Sequence, residues 1–187
     1  MSPKDLCTLP FIDKVLKAGV RVLKIEGRGR SAEYVKTVTR CYKEAAQAVA
    51  DGTFSKEKIE NWMERLKTVY NRGFWDGYYL GRTMGEWTER YGSQATQTKI
   101  YVGKITNYFA NINVAEIKME SGDMQLGDKI MIMGPTTGVY EDTLSEIRVD
   151  LKPVPQTAKG DMCSIPTSEV VRRGDKVYKV VTSIDEF

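Results

Sequence analysis

The chain has 187 residues, of which 41% are hydrophobic and 28% are charged. This composition is typical of a folded globular protein and excludes a largely disordered chain. The sequence contains no histidine. That absence excludes Ser-His-Asp and Cys-His catalytic arrangements, His-ligated zinc and imidazole acid–base chemistry within this chain.

The two halves of the chain differ in charge. Residues 1–96 carry 17 Lys and Arg against 12 Asp and Glu, whereas residues 97–187 carry 11 against 13. The excess of cations in the first half permits contact with RNA or phosphate, although a solvated helix surface has the same pattern.

The dispersed cysteines and the lack of a signal or membrane-spanning pattern predict a cytoplasmic protein without a membrane partner.

The first third of the chain has the alternating order of helix and strand that is typical of a parallel α/β protein. An amphipathic helix is predicted at 10–18, a β-branched strand at 20–27 and a glycine-rich turn at 27–30. Ser31 is a favourable N-cap for a helix that runs to about Ala50. A single parallel strand needs neighbours on both sides. We therefore expect its partners to lie in sequence outside this chain or in another chain.

The remainder of the chain changes from helical to strand periodicity. Ser55 is predicted to cap a helix at 56–70, and the aromatic, glycine-rich stretch 71–81 is predicted to be a loop that packs against a neighbour. After Lys99 the apolar residues alternate, and Gly-Asp pairs mark turns, which predicts a small closed antiparallel β-barrel. The candidate strands are 99–106, 110–118, 129–133, 139–149, 161–165 and 176–181.

The segment KIEGRGRS at 24–31 is the candidate site. In a strand, Lys24, Glu26 and Arg28 point to one face. Charged side chains at the C-terminal end of a strand are typical of the active sites of α/β barrels. Glu26 is then a candidate base or ligand, with Lys24 and Arg28 beside it as catalytic candidates. The alternative is a set of salt bridges on an exposed strand.

Two further residues of this segment are candidates for binding an anion. Arg30 follows Arg28 in the turn, and together they would hold a carboxylate or a phosphate. Ser31 opens the N-terminus of a helix, where backbone N–H groups favour negative charge. Taken alone, the three cysteines, Cys7, Cys41 and Cys163, are interpreted as small buried apolar residues.

Several ordered motifs resemble the collagenase-like peptidase family, also called peptidase family U32. They are KDLC at 4–7, AGVRVLKIEGR at 18–28, SAEYV at 31–35 and NRGF at 71–74. The resemblance implies an incomplete α/β barrel upstream and a C-terminal β-barrel similar to the second domain of translation elongation factors. Members are described as peptidases, and others take part in hydroxylating bases of transfer or ribosomal RNA or in quinone hydroxylation.

The resemblance also implies roles for individual residues. Several members carry an iron–sulfur cluster held by four cysteines, and Cys7 of KDLC matches the last of them. The other three would lie upstream, so this chain alone is expected to hold no cofactor. Glu26 and Arg28 match the KIEGR motif and would line the mouth of the barrel.

The predicted fold class is α+β, with a terminal piece of a TIM-like barrel followed by the small β-barrel. The predicted domains are a terminal βα piece at 1–54, a helix and linker at 55–96, the β-barrel at 97–181 and a tail at 182–187.

We expect the chain to be the C-terminal part of a family member that hydroxylates tRNA or rRNA bases. Proteolysis of peptide or collagen-like substrates is one alternative, and a non-catalytic module that binds RNA or protein is another. Whether this chain is itself an enzyme stays open, and alone it is expected to be inactive. Its expected partners are the missing N-terminal barrel portion, in the same chain or as a separate subunit, and tRNA or rRNA.

Overall fold

The computed structural model describes residues 3–81, 87–88 and 92–183. The chain divides into two compact units, residues 1–96 and residues 97–187. Helices dominate the first unit, and the second is an antiparallel sheet. The chain is therefore α+β, as the sequence predicted.

The first unit contains three helices and a two-stranded parallel ladder. The ladder pairs Asp5 with Phe74 and Leu6 with Trp75, so it joins the start of the unit to the segment after its last helix. The elements are β1 (Asp5–Leu6), a 3-10 turn (Leu9–Phe11), α1 (Ile12–Lys17), α2 (Ala32–Ala50), α3 (Lys56–Lys67) and β2 (Phe74–Trp75).

The helices α2 and α3 begin where the sequence predicted. The Ser55 hydroxyl accepts a hydrogen bond from the Lys58 backbone N–H, which satisfies one of the free donors at the start of α3. Val35, near the start of α2, is 39% exposed. The buried line of α2 recurs at helical spacing and consists of Val38, Cys41, Ala45 and Ala48.

A hydrophobic core fills the space between the helices of the first unit. Trp62 and Leu66 of α3 are buried in the same cluster as the buried line of α2. The cluster also includes Leu9 and Ile12, which are fully buried at the start of the unit. This packing explains why short helices with few apolar residues are stable here, since most helical stability in proteins comes from tertiary burial.

The strand predicted at 20–27 is not a strand in the described part of the chain. The segment forms no ladder with any residue of 3–81, 87–88 or 92–183. The physical reason is that a strand exists only through hydrogen bonds to a neighbour, and local propensity cannot supply one. Its place in a TIM-like barrel therefore stays a prediction.

The second unit is an eight-stranded antiparallel sheet. Its strands are β3 (Gln97–Phe109), β4 (Val114–Met119), β5 (Lys129–Gly134), β6 (Gly138–Thr143), β7 (Arg148–Val149), β8 (Lys152–Pro153), β9 (Met162–Pro166) and β10 (Lys176–Thr182). In the sheet they follow the order β6-β5-β10-β3-β4-β9-β7-β8. Gly103 is needed where β3 pairs with β4, because a Cβ on it would lie 2.2 Å from the Lys118 carbonyl oxygen.

The structure corrects one of the predicted strands in this unit. The single strand predicted at 139–149 is two strands, β6 and β7, because Leu144 and Ile147 are buried in the connection between them. Leu144 and Ile147 are three positions apart, so their spacing departs from the period-2 alternation of one continuous strand. The ladders described here leave β6 and β8 at the two ends of the sheet. Closure into a barrel, and the likeness to an elongation-factor domain, stay predictions.

The core of the second unit is formed by the inward side chains of the central strands. Ile105 of β3 and Ile117 of β4 are buried opposite each other, and Ile132 of β5 and Ile165 of β9 belong to the same cluster. None of the helices in the described part of the chain is long and apolar enough to cross a membrane.

Truncating the centre of this core should destabilise the second unit far more than truncating its surface. Ile117 is fully buried, so Ile117→Ala is expected to lower the free energy of unfolding by about 2–5 kcal/mol. Ile112, 67% exposed in the turn before β4, is the matched control, and Ile112→Ala should change it by less than about 0.5 kcal/mol. Urea titration followed by circular dichroism measures both; equal effects would contradict the described core.

Candidate functional site

Segment 20–27 has no strand partners in the described part of the chain, but its residues alternate between exposed and partly buried from Val22 onwards. Leu23 and Ile25 are partly buried against the helical core of the first unit. Lys24, Glu26 and Arg28 are exposed. The three charged residues are therefore open to solvent, and their position on one common face stays a prediction.

The acidic residue of this face is bonded to the backbone. The Glu26 carboxylate accepts a hydrogen bond of 2.9 Å from the Arg28 backbone N–H. A tight turn follows, in which the Arg30 N–H donates to the Gly27 carbonyl oxygen at 3.0 Å and Gly29 adopts a positive φ of 72°. Among the described residues, neither Lys24 nor Arg28 has a carboxylate within ion-pair distance. Both cations are thus available to an external anion.

The structure does not bring Arg30 to the same position as Arg28. The Arg30 guanidinium lies 3.3 Å from an oxygen of Asp5 and stacks over the Tyr70 ring, with 4.0 Å from its central carbon to the ring centroid. Tyr34 contributes a second, longer cation–π contact of 5.5 Å. Because it is held by Asp5 and Tyr70, Arg30 acts here as an anchor of the turn. Its predicted role in binding an anion stays a prediction.

Asp5 joins distant segments, and the sequence analysis did not identify it. Its carboxylate accepts hydrogen bonds from the Arg72 backbone N–H at 2.8 Å and from the Arg72 guanidinium at 3.4 Å, in addition to Arg30. These partners lie 25 and 67 residues away along the chain. No local sequence motif predicts contacts over such distances along the chain. The cluster has two guanidinium groups for one carboxylate, so its charge is net positive.

Ser31 occupies the predicted position at the start of α2. Its backbone is extended, with φ −77° and ψ 162°, as an N-cap requires, but its side chain makes no capping hydrogen bond. The hydroxyl is therefore not used to close the helix. An anion at this N-terminus stays a prediction.

Cys7 lies in an apolar environment, as the residue type alone indicated. It is 6% exposed, the Tyr42 hydroxyl lies 3.8 Å from its sulfur, and the Met63 sulfur lies at 3.9 Å. Burial raises the pKa of the Cys7 thiol, and burial likewise raises the pKa of Cys41 to about 11. Both side chains are therefore neutral thiols at neutral pH.

An iron–sulfur cluster needs thiolate ligands from several cysteines. In residues 3–81, 87–88 and 92–183 there is no group of three or more His, Cys, Asp or Glu side chains that could hold a metal ion. The described residues do not fit such a cluster by themselves. A ligand role for Cys7 therefore depends on cysteines from outside this chain.

A groove between α2 and α3 was not predicted from the sequence. The Glu44 carboxylate on its wall accepts hydrogen bonds from the Arg65 guanidinium at 3.0 Å and from the Trp62 indole N–H at 2.9 Å. The hydrogen bond from Arg65 is the main cause of the lowered pKa of Glu44. Arg40 and Lys43 also line the groove. The mixed charges on its walls favour no single ligand.

The chain is similar to a known protein family and to several known proteins. Residues 1–89 match the model of peptidase family U32. Over 179 residues, 96% of the chain, it is 58% identical to a protein named Collagenase from Porphyromonas gingivalis, of which it covers 43%. Over 148 residues, 79% of the chain, it is 29% identical to tRNA hydroxylation protein P1 of Bacillus subtilis, of which it covers 35%. The chain belongs to peptidase family U32.

The chain spans about half the length of the curated relatives it matches, 43% and 50% of the two proteins named Collagenase. A solved structure, the C-terminal domain of a U32 peptidase from Geobacillus thermoleovorans, aligns with 42% of this chain and 90% of that chain. The identity is 11% and the TM-score is 0.40, too low to support any structural inference.

Replacing Arg30 by lysine should reveal its anchoring role. A lysine keeps the charge but loses the planar group that stacks on Tyr70, so Arg30→Lys is expected to lower the free energy of unfolding by about 1 kcal/mol. Arg28→Lys, at an exposed position without an ion pair, should change it by less than about 0.5 kcal/mol. Urea unfolding followed by tryptophan fluorescence measures both. Equal effects would contradict the anchor.

Proposed function

We propose that this chain is the RNA-binding part of a U32-family enzyme that hydroxylates bases of tRNA or rRNA. The observation that carries the proposal is the exposed face at 24–28, where Lys24 and Arg28 have no carboxylate partner among the described residues. Cations that are not neutralised within the protein gain most from contact with phosphate, because binding releases counterions from the nucleic acid.

Each residue of this face has a proposed role. Lys24 and Arg28 contact phosphate oxygens, and the planar Arg28 guanidinium can bind two oxygens at once. The Glu26 carboxylate, held by the Arg28 N–H, accepts a hydrogen bond or a proton from the substrate base. Arg30 does not touch the substrate but fixes the turn through Asp5 and Tyr70.

Two further observations support RNA as the partner. Residues 1–96 carry a net charge of +5, which produces a field that attracts a polyanion. The relatives named for tRNA hydroxylation align with up to 79% of this chain. An iron–sulfur cluster that involves Cys7 belongs to this proposal only for a longer parent protein that supplies the other cysteines.

Proteolysis is the second candidate, and one observation favours it. The relatives with 58% and 56% identity to this chain are named Collagenase. In that case Glu26 would act as the base that activates water, and Arg28 would hold the peptide carboxylate or carbonyl. With no histidine in the sequence, this chain has no imidazole base, so a carboxylate such as that of Glu26 would have to serve.

The RNA proposal predicts salt-sensitive binding of an unmodified tRNA transcript. The wild-type chain should bind with an affinity that falls as salt rises from about 50 to about 200 mM. Lys24→Glu with Arg28→Glu should weaken binding about tenfold or more and reduce the slope of log affinity against log salt by about 1 to 2. Fluorescence anisotropy of labelled tRNA measures both quantities.

The matched control reverses the charge of two lysines that already form ion pairs with carboxylates. Lys17 pairs with Asp13 and Lys56 pairs with Glu60 on exposed helix surfaces, so Lys17→Glu with Lys56→Glu makes the same change in net charge. It should alter binding much less than the variant at 24 and 28. An equal loss would refute the proposed face. Hydrolysis of gelatin by this chain, abolished by Glu26→Gln, would instead favour proteolysis.

A further inference from the structure

Three lysines stand in one row across the centre of the sheet in the second unit. Lys176 of β10 pairs directly with Lys104 of β3, and Lys104 pairs directly with Lys118 of β4. All three residues are exposed, so the row lies on the solvent face of the sheet. With neighbouring strands about 4.8 Å apart, the row extends over about 10 Å. We refer to Lys104, Lys118 and Lys176 as the lysine row.

This arrangement opposes the stability of the sheet. Like charges directly opposite each other on neighbouring strands are destabilising. Lysines often protect the edges of sheets from pairing with other chains. That explanation does not apply here, because β10, β3 and β4 are inner strands of the sheet order.

The charge of the lysine row is balanced only in part, by Glu120, which interacts with both Lys104 and Lys118. Lys104 forms an ion pair of 2.8 Å with Glu120, whose pKa is lowered mainly by its hydrogen bond to Lys104. In the part of the chain that the structure describes, Lys118 and Lys176 have no carboxylate within ion-pair distance. The row is therefore a local cationic stripe on a unit whose residues 97–187 carry a net charge of −2.

Aromatic side chains lie beside the lysine row. Tyr101 and Tyr178 are cross-strand partners on the same two strands, with ring centroids 5.7 Å apart in an edge-on arrangement. The Lys99 ammonium lies 5.5 Å from the centre of the Tyr178 ring. The Tyr101 hydroxyl donates to Glu120 at 2.5 Å, which links the aromatic pair to the row. Cations next to aromatic rings are typical of surfaces that bind single-stranded nucleic acid.

We propose that the lysine row is a second RNA-binding surface, in which the lysines contact consecutive phosphates of a single-stranded segment and Tyr178 packs against a base. This inference rests on the proposed function, and it assigns part of the RNA contact to the sheet unit. RNA is favoured over an acidic polypeptide because an acidic polypeptide would use the lysines but would gain nothing specific from the tyrosine pair.

The test compares two triple variants of the full chain. Lys104→Ala, Lys118→Ala and Lys176→Ala remove the row, whereas Lys129→Ala, Lys152→Ala and Lys159→Ala remove three exposed lysines elsewhere on the same unit. Both variants lose the same charge. The probe is an unmodified tRNA transcript, titrated by fluorescence anisotropy between about 50 and about 200 mM salt.

Removing the lysine row should reduce the slope of log affinity against log salt by about 2, because each lost phosphate contact contributes about 0.7 for a single strand. Affinity at low salt should fall about tenfold or more, and the control variant should change neither quantity appreciably. The melting temperature of the row variant should equal or exceed that of the wild type, since repulsion is relieved. A third variant, Tyr178→Leu, should weaken binding without changing the slope.

Each contrary outcome has a separate meaning. Equal losses of tRNA affinity in the two triple variants would overturn the proposed role of the lysine row while leaving the proposed function intact. An absence of tRNA binding by the wild-type chain at low salt would overturn both. Displacement of tRNA by polyglutamate at equal charge concentration, together with no effect of Tyr178→Leu, would identify an acidic polypeptide as the partner and would overturn this inference.

Discussion

The Asp5 carboxylate is the contact on which the candidate site of the first unit depends. It binds Arg30 after the glycine-rich turn and both the backbone and the guanidinium of Arg72 before β2. The backbone of Asp5 also belongs to the β1–β2 ladder. This one residue therefore joins the start of the unit to the turn before α2 and to the segment after α3. Removing one partner of such a half-buried charge cluster leaves the others without compensation, which is why a single contact matters here.

The anchored turn explains how the charged face is presented without a sheet around it. Leu23 and Ile25 pack segment 20–27 against the helical core, and Arg30 fixes the turn that follows it. Lys24 and Arg28 remain exposed to solvent. In the second unit, backbone ladders place the lysine row in the middle of a sheet. Both surfaces offer exposed cations to a phosphate chain.

The sequence correctly predicts those elements whose structure is determined by residues close together along the chain. The cap at Ser55, the length of α2 and the strand at 129–133 follow from residue type and periodicity within a few positions. The prediction fails where the determinants are distant. No local signal pairs Asp5 with Arg72, and the ladder missing at 20–27 depends on partners that the segment itself does not encode. The lysine row was equally hidden, because register shifts in β3 and β10 decide which residues are opposite each other.

The central claim is that this chain binds RNA through two defined cationic surfaces. Ultraviolet crosslinking of the wild-type chain to an unmodified tRNA transcript, with mass spectrometry of the crosslinked peptides, tests it most directly. The account predicts crosslinks in the peptides that contain Lys24 to Arg28 and in those that contain Lys104, Lys118 or Tyr178. Crosslinks confined to the groove between α2 and α3, or no crosslinks under conditions in which tRNA is bound, would contradict it.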